Sequence, residues 1–83
     1  MSFTIEFNHN LYLVTDHTAK RMQQRDVTDA MIVDTMERGD WIEQPHGREM
    51  YERDVVIGGE VCLLQVVVDP DEMAIISVLV YPE

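Results

Sequence analysis

Two apolar runs near the C-terminus, Val61–Asp69 and Met73–Tyr81, constrain the fold of this chain more than any other feature. Both have strand composition, and both are apolar on each side of the pleat. Val61, Leu63 and Val67 fall on one side of the first run; Cys62, Leu64, Val66 and Val68 fall on the other. In the second, Ile76, Val78 and Val80 oppose Ile75, Leu79 and Tyr81. Asp69-Pro70-Asp71-Glu72 lies between them, a turn with proline at its second position. Strands joined by so short a turn pair antiparallel. Strands apolar on both sides are normally buried on both.

The other elements follow from period and punctuation. Phe3 to Val14 alternates loosely and breaks at Asn8-His9-Asn10, which predicts two short extended pieces around a turn. Thr15 or Asp16 caps a first helix over about residues 17–25, and Thr28 caps a second. Val27 and Ile32 have the spacing of a hydrophobic staple, and Ile32, Val33 and Met36 form a core stripe. Gly39 is expected to end the second helix in the left-handed conformation. Trp41 to Gln44 reads as a short strand, then a turn at Pro45-His46-Gly47, then a strand from Glu49 to Ile57. Gly58-Gly59 marks a tight hairpin into the first of the two apolar runs.

The expected fold is α+β: two N-terminal helices on one face of a twisted antiparallel sheet of about four strands, preceded by a short extended segment. The expected organisation is one domain over 1–83, with the extended segment at 1–14, the helical pair at 15–39 and the meander at 40–83. Two short helices cover only one face. The second face needs the N-terminal segment, a twin subunit or another protein, so a homo-oligomer or a protein partner is expected.

Charge narrows the partners. Six Lys and Arg stand against sixteen Asp and Glu, a net charge of −10. That opposes a nucleic-acid backbone at long range and suits a partner with a basic surface. Single Cys62 lies in an apolar run, is read as buried, and fits a reducing cytoplasm. The first residues carry no basic or apolar leader pattern, so no signal peptide is expected. No apolar run approaches the ~18 residues of a membrane span.

One segment departs from the acidic background. Asp16-His17-Thr18-Ala19-Lys20-Arg21-Met22-Gln23-Gln24-Arg25 holds half of the basic residues and no acid after Asp16. On a helix, His17, Arg21 and Arg25 recur at spacing four along one face. An imidazole beside two guanidinium groups is a kit for holding a phosphate and moving a proton. With Asp26-Val27-Thr28 after it, the segment resembles the opening of the domain-of-unknown-function family 4258, roughly His-Ala-x-x-Arg-Met-x-x-Arg-Gly-Ile-Ser. The resemblance extends over about residues 15–82. Asp26 replaces the glycine, and Ser77 stands where a last-strand threonine is usual. This family resembles the RelE and BrnT ribonuclease toxins, which implies helices packed on a twisted antiparallel sheet and RNA cleavage.

Metal-free RNA cleavage needs a base for the 2′-hydroxyl, cations for the phosphate and a proton for the leaving oxygen. His17 is the candidate acid or base. Arg21, Arg25 and Arg48 are candidates to hold the phosphate, and Tyr51, Ser77 and Tyr81 to donate hydrogen bonds to substrate. The bland alternatives are a helix-start histidine bonded to its surroundings, arginines paired with Asp26, Asp29 or Glu52, a solvated Arg48 and half-buried tyrosines. His9, His17 and His46 match no compact ligand spacing, so no metal is expected. There is no glycine-rich phosphate loop or nucleophile elbow, and no cofactor is expected. Two functions emerge. One is a toxin-fold protein with an active or vestigial RNA site. The other is a non-catalytic acidic protein that docks a basic partner or stands in for nucleic acid, as inhibitors from mobile elements do.

Overall fold

The computed structural model describes residues 3–83. The elements run β1 (Phe3–Phe7), β2 (Asn10–Val14), α1 (Asp16–Gln24), α2 (Asp29–Arg38), β3 (Asp40–Glu43), β4 (Glu49–Ile57), β5 (Glu60–Asp69) and β6 (Ala74–Pro82), with a single 3-10 turn at Pro45–Gly47. All the strands join one sheet in the order β1-β2-β6-β5-β4-β3.

This corrects the expected sheet of about four antiparallel strands. Among the described residues six strands are present, the first two precede the helices, and the sheet is mixed. Residues 3–14 form the two extended pieces around a turn that the alternation suggests, and this hairpin is part of the sheet. Asn8 and His9 take φ of 53° and 66° at its turn, the pair of left-handed residues that a two-residue hairpin requires. Asparagine tolerates that conformation better than most side chains. The hairpin joins the meander through a short parallel contact, Leu13 beside Ala74 and Val14 beside Ile75. Two residue pairs leave no periodic trace in the sequence, and parallel pairing depends on a crossover of the whole intervening chain.

Beyond that joint the C-terminal half follows its pattern. β4 and β5 meet through Gly58 and Gly59, both at positive φ (58° and 81°). β5 and β6 are antiparallel neighbours, with a register shift between Val67 and Val68. In the turn between them the Asp69 carboxylate accepts from the amides of Asp71 (3.1 Å) and Glu72 (3.2 Å).

The helices are closed by local chemistry. Thr15 Oγ1 accepts from the Thr18 amide (3.3 Å), and Thr28 Oγ1 from the Met31 amide (3.2 Å). The Val27–Ile32 staple forms, with both side chains buried. α1 ends in a Schellman motif: the Val27 amide donates to the Met22 carbonyl (2.9 Å) and the Asp26 amide to that of Gln23 (3.4 Å). Asp26 sits there at φ 57°. Gly39 ends α2 differently from expectation, at φ −76° and ψ 171°. A Cβ there would lie 2.4 Å from the Thr35 carbonyl oxygen and 2.6 Å from that of Glu52. Close approach of α2 to β4, not handedness, requires this glycine.

Ile32 and Met36 from α2 and Met22 from α1 pack with Leu64, Val66, Val68, Ile75 and Val78 on one face of the sheet, joined by Ile5 and Val14. Cys62 is buried on the same side, and its thiol is free. The opposite face has no helix over it. Residues 3–14 widen the sheet and leave that face open, with Val56, Val61 and Tyr81 prominently exposed. The apolar character on both sides of β5 and β6 thus corresponds to one buried face and one open one.

Candidate functional site

β6 has β5 along one edge. Its other edge meets β2 only at Ala74 and Ile75 and is then free of strand partners. α1 lies against this free edge. Thr18 Oγ1 donates to the Ile76 carbonyl (3.4 Å), and Arg25 Nη1 donates to the Val78 carbonyl (2.8 Å). Alternate carbonyls of a strand point to the same edge, so the two side chains replace part of the ladder that a seventh strand would supply. Thr18 is buried at 2% exposure and holds the helix at a fixed distance from the strand.

A cavity of about 200 Å³ opens between the two elements, lined by His17, Thr18, Arg21 and Arg25 from α1 and by Ile76–Leu79 of β6. Four residues singled out from sequence meet here: His17, Arg21, Arg25 and Ser77. Spacing four brings the first three to one side of the helix, and the hydrogen bonds to β6 turn that side toward the strand. Among the described residues no carboxylate pairs with Arg21 or Arg25, whereas Asp34 pairs with Arg38 (3.5 Å) and Arg53 (3.0 Å). Arg25 spends one donor on Val78, and its guanidinium has five.

The other candidates lie elsewhere. Arg48 is an exposed residue at the end of the 3-10 turn, its amide donating to the Pro45 carbonyl (3.4 Å). Tyr51 belongs to an aromatic group with Phe7, at a ring separation of 6.4 Å, and Phe7 in turn meets Tyr12 at 6.3 Å. Burial, then the neighbouring Glu49 and Tyr12, push the Tyr51 phenol above its ordinary value. Glu49 also accepts a hydrogen bond from Trp41 Nε1. Tyr81 pairs with Leu63 near the far end of β6. Thr18 escaped the sequence reading because nothing local separates an anchoring threonine from an ordinary one in the first turn of a helix.

A larger cavity of about 370 Å³ lies at the start of β3, lined by Arg38, Arg53, Asp40, Glu52, Asp54, Gly39 and Leu63. Its arginines are balanced by carboxylates, so it offers an anion no net attraction. Among the described residues no three His, Cys, Asp or Glu side chains are grouped to hold a metal ion. No helix among the described residues is long and apolar enough to cross a membrane.

The family described as a domain of unknown function (DUF4258) matches residues 14–80. The match takes in both helices and the pocket, and leaves β1 and nearly all of β2 outside it. No curated protein and no solved structure matches the chain.

Proposed function

The chain belongs to the DUF4258 family, and from that premise we propose that the pocket between α1 and β6 binds a phosphate of single-stranded RNA and cleaves the adjoining bond without metal. The observation that carries this reading is the convergence of His17, Arg21, Arg25 and Ser77 on one cavity. The resemblance of this family to RelE- and BrnT-like toxins points the same way.

In this reading Arg21 and the remaining donors of Arg25 hold the non-bridging phosphate oxygens, and the Ser77 hydroxyl adds a neutral donor. His17 takes the proton of the 2′-hydroxyl. The 2′-oxygen bonds to phosphorus as the bond from phosphorus to the 5′-oxygen breaks, and that oxygen takes its proton from water. The products are a 2′,3′-cyclic phosphate and a free 5′-hydroxyl. Charge that develops on the phosphate is met by two guanidinium groups already in place. Arg48, Tyr51 and Tyr81 have no part in it.

The net charge of −10 sets the character of such a site. Long-range attraction is absent, so affinity rests on local contacts and a concave wall. Few phosphates are engaged, and binding varies little with salt. We place the protein in a reducing cytoplasm, which suits the free buried thiol of Cys62.

The test is incubation of the purified chain with a single-stranded RNA oligonucleotide in excess chelator. The reading expects cyclic-phosphate ends that chelator does not suppress, and a loss of about 10²-fold or more in rate with His17→Ala. Absence of cleavage, or cleavage that His17→Ala leaves intact, removes the catalytic assignment.

A further inference from the structure

We infer that the open face of the sheet docks a second copy of this chain, the two sheets stacked face to face about a two-fold axis along β5. The face exposes apolar side chains that no helix covers. Val56, Val61 and Tyr81 are exposed at 62%, 49% and 48% near the start of β5, and half-buried Leu63, Leu79 and Val67 continue the face along the strands. β3 to β6 span about 19 Å at the usual ~4.8 Å strand spacing, and ten residues of β5 extend about 33 Å. Allowing for the short β3, the plan area is roughly 500 Å² before side-chain relief is counted, toward the upper part of the ~300–600 Å² range of the largest patch on a monomer, a patch that is often functional. With that relief it approaches the ~600 Å² per partner at the low end of specific interfaces.

Charge on this face selects the occupant and its orientation. Strand pairing sets Glu52, Gln65 and Leu79 in one row across β4, β5 and β6. The row is acidic at its β4 end. At its β6 end Leu79 lines the cavity that holds His17, Arg21 and Arg25. Rotation about an axis along β5 lays each row on its own copy in reverse. Glu52 of one copy then faces the basic edge of the other, and Asp54 falls one step along the same margin. Gln65 meets Gln65 on the axis; each donates through Nε2 to Glu52 of its own copy (2.9 Å), so the amide oxygen and the second N–H are what pair across the axis. An axis across the strands would instead set Glu52 against Glu52, a like-charge contact that disfavours it. A single chain thus carries both halves of the match, apolar against apolar and acid against base, the self-complementarity that an isologous dimer requires.

The stack also sets a carboxylate over the pocket, so RNA and dimer exclude one another. That consequence alone rests on the phosphate reading; the dimer does not.

Sedimentation of the full chain without nucleic acid tests the inference. The expected result is a concentration-dependent dimer. Val61→Lys should raise its dissociation constant at least tenfold, and Val56→Lys, at the most exposed position, repeats the test should Val61→Lys disturb the fold. Glu52→Lys and Arg21→Glu should each weaken the dimer, and the two together should restore it to within about threefold of the original, a gap of roughly 0.7 kcal/mol. A chain that stays monomeric at high micromolar concentration overturns the inference. So does a dimer indifferent to both lysine variants, or a charge exchange that restores nothing.

Discussion

Arg25 reaches across from α1 to donate to the Val78 carbonyl at 2.8 Å, closing part of a strand edge that has no neighbouring strand. Arg21, one turn earlier, lines the same cavity but makes no such bond among the described residues. Two arginines of one helical face therefore have separable roles. Arg25→Ala should cost about 1–2 kcal/mol, because a carbonyl oxygen loses a charged donor. Arg21→Ala should stay within about 0.5 kcal/mol. Urea unfolding of the two variants checks the difference.

Asp26 occupies the residue after the α1 cap at φ 57°, where the resemblance carries a glycine. Glycine reaches this conformation without strain. Asp26→Gly should therefore stabilise the chain by about 0.5–1 kcal/mol, while Asp26→Val should destabilise it by about 1 kcal/mol or more. Thermal midpoints of the pair give the sign directly.

Gly39 presents the opposite case. Its backbone angles suit any residue, and the obstacle is space: a Cβ would overlap the Thr35 and Glu52 carbonyl oxygens. Gly39→Ala should force α2 from β4 and cost more than about 2 kcal/mol. A stability loss comparable to that of an exposed substitution would show that α2 shifts without cost.

Tyr51 titrates above its ordinary value because it is partly buried and faces Glu49 and Tyr12. The folded state thus holds the proton more tightly than the unfolded state. Stability from this source is complete below pH about 10 and falls as pH rises through the folded value. Tyr51→Phe should flatten the decline above pH about 10, as read from denaturant unfolding at stepped pH.

How much of this was legible beforehand differs from element to element. Gly58-Gly59 and Asp69-Pro70-Asp71 announce their turns, because turn geometry demands particular residues. Thr28, Val27 and Ile32 announce α2 in the same way. The β2–β6 joint was not legible: Leu13 and Val14 look alike whether they pair with Ala74 and Ile75 or with nothing. The Asn8-His9 turn was legible as a break in a loose alternation, but not that its two strands join the main sheet. In the site, helical spacing groups His17, Arg21 and Arg25, but only the tertiary fold brings the candidate Ser77 to the same cavity and leaves Arg48 outside its lining. Arg48 sits just before β4, and its distance from α1 depends on strand order, which local sequence does not encode.

The phosphate pocket is tested most directly by nuclear magnetic resonance titration with a short RNA whose 2′-hydroxyl at the scissile position is replaced by hydrogen, so that it binds without being cleaved. The side-chain Nε–H signals of Arg21 and Arg25 and the Ser77 amide should shift together and saturate. Arg21→Ala should weaken binding at least tenfold, about 1.4 kcal/mol, with its thermal midpoint unmoved. Titration that leaves these three signals in place, or binding that Arg21→Ala does not weaken, would contradict the pocket as the functional site.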